Sequence, residues 1–108
     1  MSTKKVGIAE IENEFGALTF ASLLKAHRLG EEMTQVQMAK KLGLSKQSLN
    51  DLEGGRKAPT IRRAMAIAKK MSLLPELVVQ VVFQDQVNKE KLKLSVSVKK
   101  TQAVPKAS

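Results

Sequence analysis

Positive charge is the most concentrated chemical property of this chain. Residues 39–70 carry nine basic side chains against Asp51 and Glu53, a net charge of +7. Residues 88–108 carry six lysines against Glu90, a net charge of +5. A localised basic surface is the electrostatic signature of a protein that binds the phosphates of nucleic acid. Charge alone leaves open the alternative of a solvated, lysine-rich surface.

Side chains suited to catalysis or metal binding are scarce. The chain has no cysteine and a single histidine, His27, which excludes disulfides, thiolate chemistry and metal sites built from cysteine or histidine clusters. Ser45 and Ser48 have no nearby base to make either a nucleophile, and the sequence has no glycine-rich phosphate loop or paired-carboxylate site. We therefore expect a protein that is not an enzyme and needs no cofactor.

The same composition bears on location. The absence of cysteine suits a reducing cytoplasm, and no apolar run approaches the roughly 20 residues of a membrane-spanning helix. The first residues contain two lysines but no continuous apolar segment of the secretory type. We expect a cytoplasmic protein with no membrane partner.

Two short helices joined by a tight turn are predicted within Thr34–Arg56. Thr34 and Gln37 have the spacing of a capping box at the start of the first helix, Gly43 permits a left-handed turn, and Ser45 caps a second helix over Lys46–Glu53. Such a unit holds its second helix rigidly off the body of the protein, where it can enter a DNA groove. A steep crossing of the helices needs a small residue in the first and apolar anchors under the second. The predicted motif core is Ala39, Gly43, Leu49 and Leu52, with Val36 and Leu42 also facing inward.

Three further helices are predicted to support this pair, over Phe20–Arg28, Ile61–Met71 and from Pro75 to about Gln86. Aromatic residues make up 3% of the chain, so the core must be built from aliphatic side chains. Met38, Met65 and Met71 are expected to fill gaps in it. The predicted fold class is all-α: a compact five-helix domain over residues 16–87, preceded by an arm of residues 1–15.

The C-terminal residues 88–108 have a different pattern. Apolar residues from Leu92 to Val98 alternate with lysine and serine, and this period of two predicts a β-strand over Lys91–Lys99. A single strand cannot satisfy its own backbone groups, so we expect it to pair with the same strand of a second chain and make a homodimer. The alternative is a disordered basic tail, as we expect for residues 101–108.

The pattern TQxxxAxxLGxSxxxLxxLExGRxxP, from Thr34 to Pro59, resembles the phage-repressor (Cro/XRE-type) helix-turn-helix family. The match is close over this stretch and loose over residues 18–82. The resemblance implies a compact all-α domain that binds double-stranded DNA, usually as a dimer on a palindromic operator.

The resemblance also implies a role for individual residues. The helix over Lys46–Glu53 is similar to the recognition helix, which enters the major groove by its N-terminal end. Lys46 suits guanine and Gln47 suits adenine, and Asn50 and Asp51 lie one turn further along for base readout. Glu53 is expected to bond locally, to Arg56 or Arg62. The implied phosphate contacts are Gln35, Ser45, Arg56, Lys57 and Arg63, with Arg62 extending them.

Two functions follow from these residues. The first is a sequence-specific transcriptional regulator, a repressor that binds a palindromic operator as a homodimer. The alternative is an antitoxin or adaptor that neutralises a toxin or other protein partner, with DNA binding as autoregulation. In that case the arm or the basic tail would wrap the partner, and co-purification with that partner would separate the two functions.

Overall fold

A computed structural model describes residues 18–101 of the chain. Five helices account for most of this part, and the predicted all-α fold class with five helices is confirmed. The predicted arm and residues 102–108 lie outside the described residues. In chain order the helices are α1 (Phe20–Gly30), α2 (Gln35–Leu42), α3 (Lys46–Glu53), α4 (Ile61–Lys70) and α5 (Pro75–Lys89).

Hydroxyl caps fix the start of four helices. Each cap oxygen accepts the backbone N–H three residues further on, at 3.0–3.1 Å. At α2 the predicted capping box is confirmed, because the Gln37 side chain in turn accepts the Thr34 N–H at 2.9 Å. A cap of this kind contributes about 1 kcal/mol, so short helices begin at defined residues. The four capping residues are Thr19, Thr34, Ser45 and Thr60.

The turn between α2 and α3 depends on Gly43. Its φ of 72° lies in the left-handed region, where a side chain would be strained. This conformation lets the Leu44 N–H donate to the Ala39 carbonyl at 2.8 Å and closes the end of α2. The predicted role of Gly43 is therefore confirmed.

The aliphatic core lies where all five helices meet. Its fully buried members come from every helix, and Ala39, Leu49 and Leu52 of the predicted motif core are each buried. Met38 and Met71 are also buried, as predicted. The largest fully buried side chains are Leu24, Met38, Leu49, Ile67, Val78 and Val82.

Two predicted core residues are in fact exposed. Val36 is 57% exposed and Met65 is 42% exposed, so the predictions for both were wrong. At about 100° per residue, each lies roughly 110° from the centre of the buried face of its helix. Each residue precedes a buried alanine, Ala39 or Ala68, by three positions. That spacing leaves the two side chains about 60° apart around the helix axis, which is enough to bring the first of them to the surface.

The chain beyond α5 does not form the predicted strand: within residues 18–101 the fold contains helices and no strand. A residue with positive φ, Lys91, turns the chain back, and residues 92–98 run along α5. Gln84 accepts the Val96 N–H at 2.7 Å and donates to the Leu94 carbonyl at 2.9 Å, while Gln80 accepts the Val98 N–H at 3.1 Å.

An ion pair joins α1 to the end of α3. Arg28 donates to both carboxylate oxygens of Glu53, at 2.8 and 3.0 Å, and to the Met33 carbonyl at 3.1 Å. The Arg28 and Glu53 side chains are only 13% and 4% exposed. Glu53 was expected to bond to Arg56 or Arg62, and this prediction was wrong. The partner is a residue 25 positions earlier, which spacing along the chain does not reveal.

A second polar contact joins α5 to the start of α1. The Phe20 N–H donates to Asp85 Oδ2 at 2.9 Å, while Oδ1 is buried without a hydrogen-bond partner in the described part of the chain. Burial raises the pKa of Asp85 above its ordinary value, against the opposing effects of the Phe20 hydrogen bond and of Lys89.

Glu53→Gln is expected to lower the free energy of unfolding by roughly 2 kcal/mol. The glutamine oxygen can accept only one of the two Arg28 hydrogen bonds, and the glutamine amide N–H would face the other Arg28 donor. Urea unfolding followed by circular dichroism measures the change. The matched control is Glu90→Gln, because Glu90 is an exposed acid after α5. Equal stability of the two variants would contradict a structural role for the pair.

Asp85→Asn is expected to raise the free energy of unfolding at neutral pH. The folded chain binds this proton more tightly than the unfolded chain, so the wild type loses stability as the pH rises from 3.8 through the raised pKa. Asparagine keeps an oxygen for the Phe20 N–H and cannot ionise. When urea unfolding is measured over a pH series, the difference in the free energy of unfolding between the variant and the wild type should shrink as the pH falls. A gap independent of pH would show that the carboxylate ionises freely in the fold.

Candidate nucleic-acid interface

Helix α3 presents one polar face to the outside and buries the other. Leu49 and Leu52 lie in the core, while Lys46 and Gln47 are exposed and Asn50 is half-buried. The exposed pair comes directly after the Ser45 cap, at the N-terminal end of the helix. The fold thus places the predicted base-reading residues on one continuous surface.

Asp51 is at the centre of a polar cluster on this surface. Its Oδ1 accepts from Gln47 Nε2 at 3.0 Å and from Arg56 Nε at 3.1 Å, and its Oδ2 lies 3.8 Å from Lys57 Nζ. The hydrogen bond from Arg56 is the largest cause that lowers the pKa of Asp51, with further lowering by Gln47 and by the charges of Arg56 and Lys57. The carboxylate is therefore ionised and surrounded by donors.

Arg56 is held in place by this cluster. Besides its bond to Asp51, it donates from Nη2 to the Asn50 carbonyl at 2.9 Å, so the guanidinium closes the C-terminal turn of α3. Its side chain is still 55% exposed. The role of Asp51 as a base contact stays a prediction. In the free protein its side chain is 14% exposed and accepts hydrogen bonds from Arg56 and Gln47.

Gln35, predicted to contact phosphate, links the two helices of the motif. Its Nε2 donates to Glu53 Oε1 at 3.2 Å and lies 3.5 Å from Asn50 Oδ1. Glu53 thus accepts from α1 through Arg28 and from α2 through Gln35. Arg28 is the residue that sequence reasoning missed, since a single arginine on a predicted support helix carries no motif signal.

The remaining predicted cations lie at the other end of α3. Arg62 and Arg63 are exposed at the start of α4, and they line a shallow depression together with Gly43 and Leu44 of the turn before α3. Basic side chains consequently border both ends of the helix: Arg62 and Arg63 near its start, and Arg56 and Lys57 beyond its end.

No group of three or more His, Cys, Asp or Glu side chains within residues 18–101 could hold a metal ion. None of the helices described is long and apolar enough to span a membrane.

Comparison with known proteins agrees with this geometry. A family model described as Helix-turn-helix matches residues 24–76, which cover α2, the turn, α3 and α4 with the adjoining ends of α1 and α5. Neither a curated protein nor a solved structure gave a match. Residues 24–76 therefore match the Cro/XRE-type helix-turn-helix family, a family of DNA-binding transcription regulators.

Proposed function

We propose that this protein is a sequence-specific repressor that binds a palindromic operator as a homodimer, with α3 in the major groove. The observation that carries the proposal is the exposed polar face of α3 bordered at both ends by cations, on a helix whose other face is fixed in the core. Rigid placement matters because base readout requires side chains held in register with the groove.

The dimensions suit this docking. Eight residues of α3 extend about 12 Å, and the major groove of B-DNA is about 12 Å wide. With the N-terminal end of α3 in the groove, Lys46 would donate to guanine O6 and N7 and Gln47 would pair with adenine. Asn50, one turn further along, would contact a base at the edge of the site.

The flanking cations would bind the two walls of the groove. Arg56 and Lys57 would take phosphates on one side and Arg63, extended by Arg62, on the other. Ser45 and Gln35 would add contacts at the N-terminal ends of α3 and α2, where the first N–H groups of a helix favour anions. These contacts would supply affinity for any DNA, while α3 would supply the choice of sequence.

A homodimer would place two copies of α3 in successive major grooves, about 34 Å apart. Its two-fold symmetry would match a palindromic operator. An operator that overlaps a promoter would then be closed to polymerase by steric exclusion. Selection of bound sequences from random DNA, together with the molecular mass in solution, tests binding, palindromy and dimerisation in one experiment.

DNA binding is expected to weaken steeply with salt. If each of two copies neutralises four phosphates, through Arg56, Lys57, Arg62 and Arg63, the slope of log K against log salt should be about −7. Fluorescence anisotropy of a labelled operator over a salt series measures the slope. A slope near zero would rule out the proposed phosphate contacts.

Gln47→Ala and Arg56→Ala are expected to fail in different ways. Loss of Gln47 should cost about 1–3 kcal/mol on the preferred sequence alone and relax the choice of one base pair. Loss of Arg56 should weaken operator and random DNA alike. Competition binding on a set of single-base operator variants distinguishes the two.

The control for this pair is Lys25→Ala, which removes an exposed cation from α1, outside the two helices of the motif and their flanking loops. It should leave both affinity and base preference unchanged. Identical base-preference profiles for the Gln47 and Arg56 variants would refute the division between readout and phosphate binding.

A further inference from the structure

The segment after α5 has two backbone edges, and α5 occupies one of them. The backbone groups of Leu94, Val96 and Val98 bond to Gln84 and Gln80. Two residues of extended chain rise about 6.6 Å, close to the 6 Å between positions i and i+4 of a helix. The two glutamines therefore take the place of a neighbouring strand, and they hold this segment extended.

The opposite edge carries the backbone groups of Lys93, Ser95 and Ser97. In an extended chain these point away from α5, because successive residues face opposite sides. None of them bonds to another residue in the described part of the chain, and all three residues are exposed. Leu92 and Leu94 are also more than half exposed beside this edge. An unpaired edge with exposed apolar side chains is a template for another strand.

We propose that this edge pairs in antiparallel fashion with the same edge of a second copy, with the two-fold axis at Ser95. The inference rests on the homodimer of the proposed function and identifies the surface that forms it. Because only odd-numbered residues of each copy face outward, odd residues must pair with odd ones. Within residues 92–98 the opposed residues are Ser95 with Ser95, Lys93 with Ser97, Leu94 with Val96, and Leu92 with Val98.

This register is self-complementary in charge and in polarity. Within residues 92–98, Lys93 of each copy faces a serine, and each exposed leucine faces a half-buried valine of the partner subunit. Lys99 would lie opposite Lys91, but Lys91 is in the turn, where φ is 59°, outside the ladder. Opposed apolar pairs stabilise a ladder, and opposed like charges destabilise it. The four apolar side chains of each copy would form one continuous stripe.

The neighbouring registers fit less well. An axis at Val96 would set Lys93 against Lys99 and Leu92 against Lys100. An axis at Leu94 would shorten the ladder to residues 92–96, since the chain turns at Lys91, where φ is 59°, and Val98 would have no apolar partner. The sequence and the edge together favour the axis at Ser95.

Single cysteines test the pairing, since the natural chain has none. Ser95→Cys should form a disulfide-linked dimer under mild oxidation, because directly opposed residues lie about 5.5 Å apart between Cα atoms. Lys93→Cys alone should not, since its two copies would lie about 13 Å apart. An equimolar mixture of Lys93→Cys and Ser97→Cys chains should again cross-link. Non-reducing electrophoresis and the mass in solution measure all three.

The outcomes separate the interface from the function. Two results would overturn the proposed pairing. In the first, Lys93→Cys alone cross-links as readily as Ser95→Cys. In the second, neither Ser95→Cys nor the mixture of Lys93→Cys and Ser97→Cys cross-links. If reduced Ser95→Cys still bound the operator in a salt-dependent way in that case, the proposed DNA-binding function would stand and the two copies would contact each other through another surface. Specific cross-linking without operator binding would leave the interface standing and refute the proposed function.

Discussion

The carboxylate of Glu53 is the contact on which the geometry of the motif depends. It accepts two bonds from Arg28 on α1 and one from Gln35 on α2, and it belongs to the last residue of α3. One acid, whose side chain is 4% exposed, thereby fixes the C-terminal end of α3 against two other helices, while the Gly43 turn fixes its start. Apolar packing holds the inner face of α3 in the core. The hydrogen bonds to Glu53 add directional contacts to this packing, which is itself non-directional.

The two acids of α3 therefore do different work. Glu53 faces inward and connects helices, whereas Asp51 faces the polar surface and orders the side chains around it. Both compensate positive charge within the most basic part of the chain. Without them, the cations around α3 would repel one another and spread into solvent. The basic surface is thus organised by its minority of anions.

Local rules predicted much of this fold. Hydroxyl caps, a capping box and a glycine turn define helix ends through atoms three or four residues apart, and the helices begin where those rules place them. The predictions that were wrong involve distant or rotational information. The helical rotation of Val36 and Met65, and the Arg28 partner of Glu53, depend on how helices pack, which a spacing pattern does not encode.

The C-terminal segment shows the same limit. The alternation of apolar and polar residues in this segment was identified correctly. The backbone groups of alternate residues, however, bond to glutamine side chains of α5 in place of a second strand. The identities of the candidate DNA-contacting residues came from the family resemblance, and their placement on one surface came from the fold. The toxin or adaptor partner stays a prediction from the sequence.

Asp51 also has a kinetic consequence. Its carboxylate already occupies Arg56 and lies beside Lys57, so it acts as a built-in competitor for any phosphate that approaches them. In the proposed complex, a phosphate would have to displace this internal anion, and the exchange would lower the net gain from phosphate contacts alone. Residence on arbitrary sequences would then be shorter, whereas contacts to the correct bases would restore the lost free energy at the operator.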